Sequence, residues 1–550
     1  MQRLMTSTGI AVEGIGRFCG DAGKIGRDEI HMAYSVLFPD RARPPQSGRS
    51  AEPEYFGDLN LDQVVRPILT SYPEFKLDEF FYTPLDDAGT IRYRQDVLRD
   101  LEGGTLRDLF TDFSKTVFEL DAFMARTRKL LSSENGCRNN YLTKGRMFNS
   151  AVRYCSAVSD LAEALANREI RSEGLQGIRD YLRDYRGTEE YAGLQAHAER
   201  LREEFSTVHY CMLIRYGTIR VRKYEGQSDL SADIRDLFAR FRQGDVKDYR
   251  HKLTEEPRAE HVEAGVLKLV AECYPDVFSD LDAFCAAYPH FVDPTAARFA
   301  REIQFYLSWL AYIGPLREKG LPFCLPAVAP DAEQLYGRGF FDLALAASMG
   351  PGRSPVTNDF ALDRPERILV VTGPNQGGKT TYARAFGQIH YLASLGLSVP
   401  GREASLLLFD RIYTHFEREE DLSTLNGKLQ DDLERLHRIL GRATSRSVLV
   451  INEIFSSTTL SDAVLLGGYM MDSIAKIGCP AVCVTFLSEI AAHGEETVSM
   501  MSTVEEDDPA VRTFRIVRKP PDGLAYALHI ASRYRLTYRQ LSARLQNRTQ

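Results

Sequence analysis

The spacing of apolar positions changes character near residue 327. From Tyr55 to about Leu321 apolar residues recur every three or four positions, as in LDQVVRPIL, LRDLFTDFSKTVFELDAFMARTRKLL and LQAHAERLREEF. That period lays one apolar stripe along a helix. The stretches are long and poor in glycine, which predicts lever or bundle helices. One segment breaks the period. YCMLIRYGTIRVRKY, from Tyr210 to Tyr224, is rich in β-branched and aromatic residues with Tyr216-Gly217 at its middle, and predicts a hairpin, 207–226 with its flanks, between two helices. From about Ala327 the apolar runs become short and continuous, RILVVTG, SVLVINE and AVCVTF, with helical stretches between them. Buried strands alternating with helices predict a mostly parallel sheet covered on both faces. The expected fold class is thus α/β plus all-α: a helical domain over 55–326 and an α/β domain over 327–550. Ahead of them, in 1–54, MAYSVLFPD reads as a short strand and RARPPQSGRSAEPE, from Arg41 to Glu54, as a linker. Met32 stands as an alternative start to Met1.

Composition narrows the class. The 550 residues are 44% hydrophobic and 26% charged, which excludes a wholly disordered chain and a small disulfide scaffold. No apolar run reaches the roughly 20 residues that span a bilayer, and no signal peptide is visible. The nine cysteines include no C-x-x-C, so buried free thiols in a reducing, cytoplasmic setting are expected rather than zinc. A net charge of −8 argues against nucleic-acid contact over the whole surface, leaving any such contact to a local cluster. The hairpin holds one: Arg215, Arg220, Arg222 and Lys223 crowd beside Tyr210, Tyr216 and Tyr224. Cations next to aromatics suit phosphate contact and base stacking; a solvated surface hairpin is the other reading.

The sharpest motif is Gly373-Pro374-Asn375-Gln376-Gly377-Gly378-Lys379-Thr380. It fits G-x-x-x-x-G-K-[ST], follows the strand-like run RILVV and opens a helical stretch from Thr381. Glycines let the backbone wrap phosphates with its amides inward, and the helix N-terminus favours an anion. Lys379 supplies charge to the outer phosphates, and the Thr380 hydroxyl can ligate Mg²⁺. A second apolar run ends in Asn452-Glu453. Such a pair at a strand's C-terminal end suits metal and water, with Asn452 on the Mg²⁺ side, uncharged, and Glu453 orienting or deprotonating water. A helix-capping Asn-Glu pair is the plainer alternative. Asp431, Asp432 and Glu434 beside His437 read either as a metal site or as a solvated helix face, and His415 as a phosphate neighbour or a half-buried strand histidine.

These residues carry a resemblance. TGPNQGGKTTY is similar to the T-G-P-N-M-G-G-K-S-T loop of the MutS family of mismatch-repair ATPases. PGREASLLLFDRIYTHF, Glu420-Asp421-Leu422, NEIFSSTTLSDA, VTFLSEI and DGLAYALHIA resemble further family motifs in the same order, and FFYTPLDDAGTIRYRQDVLRDL resembles the start of its core domain. The resemblance implies an ABC-type ATPase that binds ATP and Mg²⁺ and pairs with a second copy, its helical lever ending in a clamp on DNA. It implies phosphate contacts from Asn375 to Thr381 and adenine contacts near Pro355, Val356 and Asn358. Across the dimer, Gly427 and Lys428 would reach the partner's γ-phosphate, with solvent exposure the other reading for Lys428. Ser457, Thr458, Thr459 and Asp462 would communicate between copies. Only 54 residues precede the core, so the family's mismatch-reading and connector domains are expected to be absent. Three departures stand out: Asn452 for an Asp, Phe486 for a switch histidine, and Gly427-Lys428-Leu429 for a Ser-Thr-Phe loop. Slow hydrolysis follows. An ATP-dependent DNA-binding ATPase is the leading expectation, and an ATP-gated dimeric interaction protein without DNA is the alternative.

Overall fold

The computed structural model describes residues 34–39, 51–132, 141–216, 218–227, 257–417, 427–453, 455, 457–505, 511–521, 534 and 536–546. Helices come first: α1 (Asp62–Ser71), α2 (Asp78–Phe81), α3 (Ala88–Leu101), α4 (Thr105–Ser132), α5 (Tyr141–Ala166), α6 (Glu173–Arg186) and α7 (Glu189–Ser206). Their starts follow capping chemistry. Asp87 accepts from the Gly89 and Thr90 amides, and Ser172 and Thr188 accept from the amides three residues on, satisfying donors that a helix start leaves free. Strands β1 (Tyr210–Arg215) and β2 (Thr218–Lys223) then form the expected antiparallel hairpin, followed by α8 (Pro257–Cys273), α9 (Pro275–Ala287) and α10 (Pro294–Glu318). Proline opens α9 and α10 at the position where its missing N–H costs nothing. Helix α10 is buried nearly all round, with Phe299, Phe305, Tyr306 and Trp309 inside, and packs along α4. Among the described residues no helix is long and apolar enough to cross a membrane.

The second half builds sheets. Strands β3 (Phe323–Cys324), β4 (Ala327–Ala329) and β5 (Gln334–Phe340) lead to the short helix α11 (Leu343–Ser348) and β6 (Asn358–Asp363). Next come β7 (Ile368–Thr372), α12 (Lys379–Ser394), β8 (Val399–Pro400), β9 (Glu403–Leu407) and β10 (Ile412–His415). The rest are α13 (Lys428–Leu440), β11 (Val448–Asn452), α14 (Leu460–Ile477), β12 (Ala481–Val484), β13 (Thr497–Val504), β14 (Arg512–Arg518) and α15 (Tyr538–Gln546). The main sheet runs β10-β11-β12-β7-β13-β14, parallel except for the antiparallel β14. The three apolar runs read from the sequence are its adjacent strands β7, β11 and β12, whose residues are all buried. A four-stranded sheet, β4-β9-β5-β6, lies alongside in sequence.

One apolar core passes from the helices into the sheet region. Phe56 and Tyr391 meet edge to face at 5.1 Å, and the Gln388 amide on α12 donates to Leu59 O at 2.9 Å. The N-terminal segment departs from expectation. Residues 34–39 form no strand; Tyr34, Val36 and Leu37 are buried in a bent strap whose polar backbone groups are met by side chains, as burial demands. Val36 N and Ser35 Oγ donate to the buried Glu302 carboxylate at 2.9 and 2.7 Å. Tyr93 OH donates to Ser35 O and Tyr306 OH to Val36 O. The Arg94 guanidinium donates to Leu37 O and, from its other side, to Leu395 O, both at 3.1 Å. Leu395 caps the C-terminus of α12, so a single buried cation ties the strap to the helix that begins at Lys379. Burial brings Arg94 down to about 10, still charged at neutral pH. Of the expected linker, 41–50 lies outside the described residues, and Glu52 is paired with Arg66.

The cysteine expectation needs correction. All seven described cysteines are free, but only Cys155, Cys479 and Cys483 are buried; Cys211, Cys273, Cys285 and Cys324 are partly exposed. Burial pushes the three inner thiols up to about 12, which keeps them protonated and unreactive.

Candidate functional site

The loop after β7 bends back on itself at Gly373, whose φ is +118°. A Cβ there would lie 2.9 Å from Ser502 O, so only glycine fits. Gln376 takes a left-handed φ of +59°, a strained backbone of the kind that collects at functional sites. Two residues from the far strands pin the loop: Ser502 Oγ donates to Gly377 O at 2.7 Å and Arg512 Nε to Asn375 O at 3.2 Å. Residues 375–381 thus line the cleft at the N-terminus of α12, where the helix dipole favours an anion; the Gly377 amide donates within the loop to Pro374 O at 3.3 Å.

Lys379 is buried at the start of α12 and donates to Gly373 O at 3.1 Å and Pro374 O at 3.0 Å. Burial lowers its pKa; the Glu453 carboxylate works against that shift and the Arg512 cation with it. The Phe486 ring, in the loop after β12, has its centre 4.6 Å from the Lys379 ammonium. A ring in that position attracts the cation but offers no hydrogen bond to water or phosphate.

Thr380 Oγ1 donates to Asn452 Oδ1 at 2.9 Å. Asn452 closes β11, and Glu453 follows with φ of +55° while its amide donates to Val484 O on β12. The bend swings Glu453 into the same cleft as Lys379 and Thr380. Restoring a carboxylate with Asn452→Asp is expected to lower the Mg²⁺ concentration needed for nucleotide binding several-fold. A Mg²⁺ titration at fixed nucleotide reads this out, and an unchanged midpoint places residue 452 outside the metal shell.

The cleft holds about 870 Å³. Its apolar wall is Phe340, Leu345, Pro355, Val356 and Phe514. Asn358 borders it, but its amide is engaged by β14: Oδ1 accepts from Ile516 N at 2.7 Å and Nδ2 donates to Phe514 O at 3.2 Å. Asn358 therefore sets the position of Phe514, whose φ is +58°.

The residues expected across a dimer lie outside this cleft. Gly427 caps α13, and Lys428 makes an ion pair with Glu417 of the same chain. Thr459 caps α14 by accepting from the Asp462 amide. Asp462 Oδ2 accepts from Thr459 Oγ1 at 2.8 Å and from Thr458 Oγ1 at 3.4 Å, with Ser457 exposed beside them. On the hairpin Arg220, Arg222 and Lys223 are exposed along β2, and Arg215 closes β1 opposite Thr218. His415 is buried rather than half-buried, its Nε2 3.3 Å from Asp432 Oδ1; it turns to a carboxylate rather than to the phosphate loop. Among the described residues no group of three His, Cys, Asp or Glu side chains is placed to hold a metal ion. Glu420-Asp421-Leu422 and DGLAYALHIA lie outside the described residues.

Sequence reasoning did not find Ser502, Arg512 or Phe514. They come more than 120 residues after the loop, which Ser502 and Arg512 hold, and no local pattern marks them; only the strand order brings β13 beside β7 and β14 beside β13.

Residues 369–542 match the sequence family described as MutS domain V. The chain is 30% identical over 259 residues to the DNA mismatch repair protein MutS of Chlorobium phaeobacteroides, covering 46% of this chain and 29% of that protein. It is 33% identical over 186 residues to the endonuclease MutS2 of Thermus thermophilus, covering 33% and 24%. To the DNA mismatch repair protein MutS of Thermotoga maritima it is 29% identical over 183 residues, covering 32% and 23%. The matched segment thus spans less than a third of each of these relatives.

Proposed function

Because this chain belongs to the MutS family, with a MutS domain V at residues 369–542, we propose that it is an ATPase of DNA-repair type. In this reading ATP binding and slow hydrolysis in the cleft at the end of β7 set the arrangement of the helical region, and so the hold of the β1–β2 hairpin on structured or mismatched DNA. The observation that carries the reading is the 2.9 Å contact of Thr380 with Asn452. A hydroxyl in the first turn of α12 and the polar end of β11 meet beside a buried lysine.

The loop amides and Lys379 bind the triphosphate, Lys379 exchanging two carbonyl oxygens for phosphate oxygens. Thr380 Oγ1 and Asn452 Oδ1 would hold Mg²⁺, which when bound offsets phosphate charge. The amide of Asn452 brings no negative charge to that site, so affinity for the metal is modest. Glu453 orients the attacking water and takes its proton. Phe486 beside Lys379 offers that water no hydrogen bond, and turnover is slow. The apolar wall with Phe514 takes the base. Two copies associate through the ATPase parts, where Gly427, Lys428, Ser457, Thr458 and Asp462 of one face the nucleotide of the other; Lys428 first leaves Glu417. A ligand shifts such an equilibrium only by its differential affinity for the two states, and a γ-phosphate touched from both copies supplies that difference. The site of action in this reading is the cytoplasm.

Glu453→Gln is expected to keep Mg·ATP bound, to slow single-turnover hydrolysis by about 10²- to 10⁴-fold, and to raise the share of two-copy species seen by light scattering. Hydrolysis at the wild-type rate would remove Glu453 from the chemistry.

A further inference from the structure

We propose that a cleft at the N-terminal edge of the main sheet binds the phosphate group of a small molecule, held by Arg364, Arg367 and Arg446. This second anion site lies at the opposite end of β7 from the phosphate loop, about 17 Å away along the strand, and it stands apart from the function proposed above.

The strand order creates the cleft. Strands β10, β11, β12, β7 and β13 are parallel neighbours, so the residues just ahead of them come together at one edge. Asp410, Arg446, Pro480, Arg367 and Glu496 hold those positions, and all five border one cleft of about 700 Å³. The turn between β6 and β7 adds Arg364.

Arg367 is the centre of the site, and it is only 8% exposed. Its amide donates to Glu496 O at 2.8 Å and its carbonyl accepts from Ala481 N at 2.9 Å, which fixes it between β12 and β13. The guanidinium donates to Glu366 O at 2.7 Å and, among the described residues, pairs with no carboxylate. The Glu366 carboxylate is itself taken by Arg518. Burial and then the nearby Arg364 cation both lower the pKa of Arg367, so a second cation stands beside it. Buried charges are ordinarily paired; this one instead turns its remaining donors to an open cleft. Arg446 is exposed and also makes no ion pair among the described residues.

The acids of the cleft leave these cations unneutralised. Asp410 spends both oxygens on hydroxyls, accepting from Thr444 Oγ1 at 2.6 Å and Ser447 Oγ at 2.8 Å. Asp331 lies 3.3 Å from Arg364 with both side chains mostly exposed, a solvated contact worth little. Glu496 leans back on its own turn, where a Cβ on Gly494 would lie 2.9 Å from Oε2. Guanidinium forks grip phosphate oxygens in pairs, and a phosphate dianion matches two unpaired cations better than a carboxylate does. The cleft has room for more than the anion itself, and Leu335, Leu407 and Ala475 give it an apolar wall.

Calorimetric titration at low salt tests this on the full chain carrying Lys379→Met, which silences the phosphate loop. The probes are inorganic phosphate and ribose 5-phosphate, with sodium chloride at matched ionic strength as the blank. One site per chain is expected. Arg364→Gln and Arg446→Gln, both at exposed positions, should each weaken it about tenfold, and Arg367→Gln should abolish it, with a melt to check the fold. Arg338→Gln, outside the cleft, should leave it unchanged. Tighter binding of ribose 5-phosphate marks a phosphate ester as the ligand, and equal binding marks free phosphate. If neither probe binds at millimolar concentration, or binding survives both Arg364→Gln and Arg446→Gln, the site is overturned. Nucleotide binding at the phosphate loop of the wild-type chain is a separate measurement and stands or falls without it.

Discussion

Lys379→Met is expected to weaken Mg·ATP binding about a hundredfold while the free protein melts within a few degrees of wild type. The ammonium donates to two loop carbonyls, and in the proposed function both bonds turn to phosphate oxygens. Two charge-assisted bonds at about 1.5 kcal/mol each make about 3 kcal/mol, or roughly two decades in affinity. Methionine keeps most of the buried volume and removes a cation that burial already disfavours, so the fold loses little. Calorimetric titration with a fluorescence melt on the same sample separates the two effects. Wild-type affinity in the variant would mean that the loop at 373–380 does not cradle phosphate.

Arg94→Ala is expected to give the largest loss of stability, roughly 3 to 5 kcal/mol. The substitution strips the donors from Leu37 O and Leu395 O in a buried setting and empties the space between the Phe38 and Phe305 rings, whose centres lie 4.9 and 5.2 Å from the guanidinium carbon. Arg66→Ala is the control: its pair with Glu52 is mostly solvated and is worth under about 1 kcal/mol. Urea unfolding of both variants measures the difference. A shift for Arg94→Ala no larger than for Arg66→Ala would show that the strap contributes nothing to the joint between the helices and α12.

The long helices and the three central strands were legible because each carries its own period. Helix α4 repeats its apolar stripe over many turns, and β7, β11 and β12 are buried on both faces, which leaves a continuous apolar run. The phosphate loop was legible for a related reason: its glycines and Lys379 are neighbours in sequence because they are one turn of backbone. What the sequence hid depends on contacts between distant segments. The strap at 34–38 looks like a short strand because Tyr34, Val36, Leu37 and Phe38 make a brief apolar and aromatic run; its backbone is held by Tyr93, Arg94, Glu302 and Tyr306 on two helices. Ser502, Arg512 and Phe514 serve the loop through sheet order alone. For Asn358 and Lys428 the structure adds partners in the same chain, β14 and Glu417, that no spacing rule foretells.

The most direct measurement is an equilibrium titration of the purified full chain with ATP, with and without Mg²⁺, with molecular mass recorded at each point. The expected result is saturable binding of one nucleotide per chain, weakened when Mg²⁺ is withdrawn, with mass rising toward two copies under Mg·ATP. A chain that takes up no nucleotide at millimolar Mg·ATP would contradict the account at its base.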